Sequence, residues 1–147
     1  MIHLEDEILI EAPVQSVFGA VTDFRNTPRW HRNMKKVGFR STAPPSVGSE
    51  YDWVERFLWK TMDLSGVITS WAPPSRLTWR PYGGPFPMTG GWSFAAVDGG
   101  TRVTRFSDTQ LTGMMRFMPA LMTFFARRQV RQELSDLKCF IKENKHD

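Results

Sequence analysis

One cysteine, Cys139, is present in the 147 residues, so neither an intramolecular disulfide nor a cysteine-rich zinc site can be built from this chain. Histidine is almost as sparse: His3, His31 and His146 stand at no metal-ligand spacing. No run of 18 apolar residues occurs, which excludes a bilayer-spanning helix of the usual length. The opening MIHLEDEILIEAP carries acids where a secretory signal peptide carries a basic start and an apolar run. Gly-x-Ser-x-Gly is missing, and so is any glycine-rich phosphate loop. A cytoplasmic chain without metal or cofactor is the expectation.

Aromatics and methionine are what the chain has in quantity. Six Trp and eleven Phe stand against two Tyr, with eight Met besides. A Trp ring is large and its N–H wants a partner, so this excess suggests either a bulky core or an apolar cavity. Length and composition, 41% hydrophobic and 23% charged, fit one globular domain over residues 1–147. The net charge of +4 is a mild tilt toward acidic partners such as an anionic membrane surface or nucleic acid, too diffuse to name one.

Periodicity orders the chain. His3 to Glu11 reads as a strand. Pro13 suits the start of a helix in which Val14, Val17, Phe18 and Val21 repeat at helical spacing, and Thr27 to His31 forms a further short helical turn. Met34 to Arg40 is a second strand, followed by the loop Ala43–Gly48. Apolar and polar residues then alternate from Tyr51 to Lys60 and from Met62 to Thr69. Leu77 and Trp79 form a short strand, Tyr82 to Gly91 is Pro/Gly-rich with the loop between the fifth and sixth strands at Pro81 to Met88, and alternation resumes at Trp92, Phe94 and Ala96. Asp98-Gly99-Gly100 marks a hairpin before a last strand, Thr101 to Leu111. From about Pro119 to Glu143 the pattern is helical, with Met122, Phe125, Leu134, Leu137 and Ile141 as its apolar stripe. Consecutive strands joined by short turns imply an antiparallel sheet, which one long amphipathic helix covers on one face.

Four segments in this order resemble the START-like, or Bet v 1-like, superfamily in its polyketide cyclase/dehydrase and lipid-transport branch. They are IEAPVQSVFGAVTDFRNTPRW, ITSWAPPSRLTW, DGGTRVT and the terminal ELSDLKCFIKE. The resemblance covers nearly the whole chain and implies an α+β helix-grip fold. A seven-stranded curved antiparallel sheet would wrap a long C-terminal helix, with two short helices between strands one and two. It also implies an apolar cavity between sheet and helix. It does not select an activity, because one fold hosts many functions.

On that frame the expected ligand-binding residues are Trp53, Phe57, Leu64, Trp79, Trp92, Phe94, Arg105, Met122 and Phe125. A filled core is the competing reading of the aromatics. Glu55 stands between Trp53 and Phe57 on the aromatic phase, where a carboxylate needs a partner or a raised pKa, and is the acid/base candidate. A bulge turning it to solvent is the alternative. Arg105 shares phase with Val103 and could reach Glu55 across the interior. His31 has the chemistry of an acid or base, but beside Trp30 at a helix end it reads as structural or exposed; Trp30 reads as structural, and Arg127, Arg128 and Arg131 as a solvated helix face rather than a nucleic-acid site.

Alternating loops of an antiparallel sheet share an end, so Trp59, Phe86, Met88, Met115, Phe117 and Met118 are expected to form an apolar mouth. Cations nearby in sequence suit peripheral contact with an anionic membrane. A cap on the sheet end or a dimer contact suits the same residues. The reading adopted is a monomeric or homodimeric binder of a hydrophobic small molecule (lipid, quinone or polyketide-like), without nucleic acid. The alternatives are a cyclase/dehydratase using Glu55 and a membrane-associated accessory protein.

Overall fold

A computed structural model describes residues 2–24, 26–40, 43–57, 60–82, 88–110 and 119–144. Its elements run β1 (Ile2–Ile10), α1 (Val14–Thr22), α2 (Thr27–Trp30), β2 (Met34–Phe39), β3 (Glu50–Phe57), β4 (Lys60–Ala72), β5 (Arg76–Tyr82), β6 (Met88–Val97), β7 (Gly100–Thr109) and α3 (Pro119–Asn144). The strands make one seven-stranded sheet in the order β1-β7-β6-β5-β4-β3-β2, antiparallel throughout. The first strand thus closes on the last, and the two short helices carry the chain from one sheet edge to the other.

Each strand sends alternate residues to the helix side. Tyr51 and Trp53 of β3, Leu64 and Ile68 of β4, Leu77 of β5, Trp92 and Phe94 of β6 and Val103 of β7 are all buried in one apolar cluster. Helix α1 adds Val17, Phe18 and Val21, and α3 adds Val130, Leu134, Leu137 and Ile141. Phe18 meets Trp71 and Phe94 edge-on at 5.5 and 5.4 Å, the geometry that ring quadrupoles favour.

Several boundaries differ from the sequence reading. Strand β4 runs thirteen residues, well beyond Met62–Thr69. Strand β7 ends at Thr109, short of Leu111. Strand β6 starts at Met88, ahead of the alternation read from Trp92, so Gly90 and Gly91 lie inside a strand. The reason is close packing. A Cβ on Gly90 would stand 3.1 Å from the Trp79 ring and 3.2 Å from Arg105 Nη1. Glycine is there to let a tryptophan and an arginine lie over the backbone, not to turn the chain.

The apolar stripe of α3 also shifts. Val130 joins it, and Phe125 leaves it: that ring is half-buried and packs edge-on against exposed Phe124 at 5.4 Å. At 3.6 residues per turn Phe125 lies well round the helix from Leu134 and Leu137, so one face cannot bury all three.

Candidate functional site

Polar groups gather among the aromatics of the sheet's helix-facing side. Arg105 on β7 stands directly opposite Trp92 on β6 and is 8% exposed. Its guanidinium lies over the Trp79 ring at 4.6 Å and the Trp92 ring at 5.5 Å, so two π faces receive the cation. Nη1 donates to the Phe106 carbonyl at 2.6 Å, and Nε donates to Glu133 Oε1 at 3.4 Å. The carboxylate that balances Arg105 therefore comes from α3, not from Glu55 as the pairing of the two sequence candidates suggests.

Glu133 holds a second group. His31, buried at the end of α2, places Nε2 at 3.5 Å from the same oxygen. The Asn33 amide donates to His31 Nδ1 at 3.3 Å, which leaves the proton of a neutral ring on Nε2, facing Glu133. One carboxylate oxygen thus ties helix α3 to strand β7 and to the α2 end.

Glu55 is half-buried on the same side as Trp53. Trp53 Nε1 donates to Oε2 at 3.3 Å, and Gln129 Nε2 donates to Oε1 at 3.4 Å. Gln129 precedes Glu133 by one helical turn, so both reach inward from one side of α3. Burial is the main force pushing the Glu55 pKa up, and the Glu133 charge pushes the same way; His31, the Trp53 hydrogen bond and Arg105 oppose it. Tyr51, stacked on Trp53 at 4.9 Å, has its phenol pushed far up by burial as well.

Trp30 completes the wall. It meets Trp92 edge-on at 6.3 Å, and its buried indole N–H has no hydrogen-bond partner among the described residues. Such a donor costs about 1–3 kcal/mol unless something accepts from it.

The sequence candidates are therefore distributed as follows. Trp53, Leu64, Trp92, Phe94 and Arg105 are buried and Trp79 is half-buried, and all six face the helix side. Met88 opens β6, half-buried. The side chains of Phe57 and Met122 lie outside the described residues, as do Trp59, Phe86, Met115, Phe117 and Met118. Sequence reasoning passed over Glu133 and Gln129 and took His31 as structural. Glu133 had a readable signal: it falls on the stripe Val130, Leu134, Leu137, Ile141, where a carboxylate has no reason to sit without a partner. Among the described residues no group of three His, Cys, Asp or Glu side chains converges as a metal site.

A curved sheet closed by its first and last strands and gripping a C-terminal helix is the START-like architecture. The family model for polyketide cyclase / dehydrase and lipid transport matches residues 1–141, and the chain belongs to that family. Solved structures agree on the fold. TTHA0849 from Thermus thermophilus superposes with a TM-score of 0.80 at 19% identity, over 93% of this chain and 94% of that one. The Zhui aromatase/cyclase from Streptomyces sp. R1128 gives 0.80 at 12% identity, over 96% and 93%. A START superfamily protein from Mycobacterium smegmatis gives 0.80 at 12%, over 96% and 97%. A search of curated proteins finds no match.

Proposed function

We propose that this chain binds a hydrophobic small molecule between the concave face of the sheet and α3, and that Arg105 receives an oxygen of that molecule. The observation that carries the reading is the placement of a buried guanidinium between Trp79 and Trp92. A protein that needed only a core would fill that space with aliphatic side chains at lower desolvation cost. Aromatic faces suit a flat or chain-like apolar body, and a forked cation suits a carbonyl, enolate or carboxylate at its end. The unpaired Trp30 N–H supplies a further donor beside Trp92. Lipids, quinones and polyketide-like molecules all have this shape. Peripheral contact with an anionic membrane, where such ligands reside, belongs to the same proposal.

Native mass spectrometry of the purified protein should reveal a co-purified apolar molecule. A fatty acid should quench tryptophan emission more strongly than the alkane of equal length. Arg105→Lys keeps the charge but loses the fork, and should erase that preference. A wild-type protein that binds neither probe overturns the reading.

One observation favours an enzyme as the second reading: Glu55 stands on the helix-facing side with Trp53 and Gln129 on its two oxygens, where burial raises its pKa. In a cyclodehydration the acid would hand its proton to a departing hydroxyl, which leaves as water. The carboxylate would then take the proton released from the neighbouring carbon, restoring itself. Glu55→Gln should abolish turnover of a polyketide-like substrate while leaving probe binding intact. Unchanged turnover in that variant removes Glu55 from the chemistry.

A further inference from the structure

A helix that covers a sheet should hide its apolar residues. Helix α3 does so from Val130 onward, but its first turns do the reverse. Leu121 is 46% and Phe124 60% exposed. Leu121, Phe124 and Arg128 follow one another at spacings of three and four, and so share one face. Arg127 stands beside Phe124, and both Arg127 and Arg128 are exposed, whereas Arg131 is held by Asp6 at 2.8 Å.

Charge is divided along the chain in the same way. Between Asp108 and Glu133 there are four arginines and no acidic residue. The second half of α3 mixes signs, with Glu133, Asp136 and Glu143 against Lys138 and Lys142. Exposed apolar surface and unbalanced positive charge thus coincide on the same turns.

We infer that the first turns of α3 are a docking surface for an anionic lipid bilayer. Leu121 and Phe124 enter the acyl boundary, and Arg127 and Arg128 lie against the headgroups. A second copy of the chain fits poorly, because a two-fold contact through this face sets arginines against arginines. A folded protein partner needs roughly 800 Å² of matched surface on each side, more than two apolar side chains provide. A fluid, negatively charged surface needs only insertion and charge. The inference rests on the membrane contact proposed above and names the surface that makes it; it does not depend on the internal ligand.

Co-sedimentation with phosphatidylcholine vesicles, with and without phosphatidylglycerol, tests it. The wild type should pellet with the anionic vesicles and be released by salt. Each basic group near such a surface is worth a factor of about five, so Arg127→Ser/Arg128→Ser should lower partitioning by about twenty-five-fold. Phe124→Ser should lower it by about tenfold or more while leaving the salt dependence in place. Arg40→Ser removes a single positive charge, one that Asp52 already pairs on the outer face of the sheet, and should change partitioning less than about twofold, against about fivefold for either arginine of α3 alone. All the replaced side chains are exposed, and far-UV spectra should confirm unchanged folding. Anionic binding that the α3 variants leave intact overturns the docking surface but not membrane contact. No binding at low salt overturns both. Phe124-dependent self-association without vesicle binding assigns the patch to a second copy.

Discussion

Two ionic networks sit on opposite faces of the same sheet, and they obey different rules. On the outer face, Arg40 holds Asp52 with Nε and Nη2 at distances between 2.8 and 3.2 Å, and Ser65 bonds both partners. Glu50 and Tyr82 extend the group. On the helix-facing side, Arg105, Glu133 and His31 meet at 3.4 and 3.5 Å. Judged by distance, the outer network is the better one. Judged by consequence, the inner one matters more. Water replaces any bond the outer groups lose, so exposed pairs are weak even when well made. The inner groups have given up water, and removing one leaves another charged and buried. In the proposed function these three loosely closed, desolvated groups beside aromatic rings exchange a protein contact for a ligand contact. An exposed, saturated network has no such role.

The largest test of this contrast is Arg105→Met. It strands Glu133 and should cost about 3–5 kcal/mol, read from denaturant unfolding. Adding Glu133→Leu should recover most of that loss, because the orphaned charge goes with it. If the single variant is as stable as wild type, the inner network is as solvated as the outer one.

Glu55 gives a smaller effect with a definite sign. Its pKa lies above the ordinary 4.5, chiefly because partial burial disfavours the charged carboxylate. Below that value the group is protonated whether folded or unfolded and contributes no pH dependence. Above it the unfolded chain releases the proton first, so stability falls as pH rises, until the folded carboxyl also ionises. Glu55→Gln cannot titrate. It should lack that slope and gain on wild type as pH is raised from about 4.5. Parallel pH–stability profiles would show that Glu55 feels ordinary solvent.

The outer network should move least. Hydrogen bonds from Arg40 and Ser65 hold the Asp52 carboxyl down at about 2. Its contribution is present above the ordinary 3.8 and fades as pH falls through about 2. Asp52→Asn should therefore leave the thermal midpoint at neutral pH within error and flatten only the acid limb. A large loss at pH 7 would mean that exposure does not separate the two networks.

What the sequence determined is what a local period can carry. Alternation placed Trp53, Trp92 and Phe94 on one face, the Pro13 step opened α1, Asp98-Gly99-Gly100 closed the last hairpin, and the uninterrupted run after Pro119 made the long helix. Each of these depends on residues a few positions apart, because strand and helix geometry repeat over two or about four residues. Even Glu133 was marked by falling on an apolar stripe. Partnership was not marked. Arg105 and Glu133 are 28 residues apart, and Gln129 and Glu55 are 74 apart. Which carboxylate meets the arginine depends on the sheet's curvature and on how α3 lies across it. The same holds for Gly90, one residue of a Pro/Gly-rich stretch by sequence and a gap for Trp79 and Arg105 by structure. Side-chain identity fixed which groups wanted partners, and only tertiary packing, through long-range geometry that no local period records, decided which ones they found.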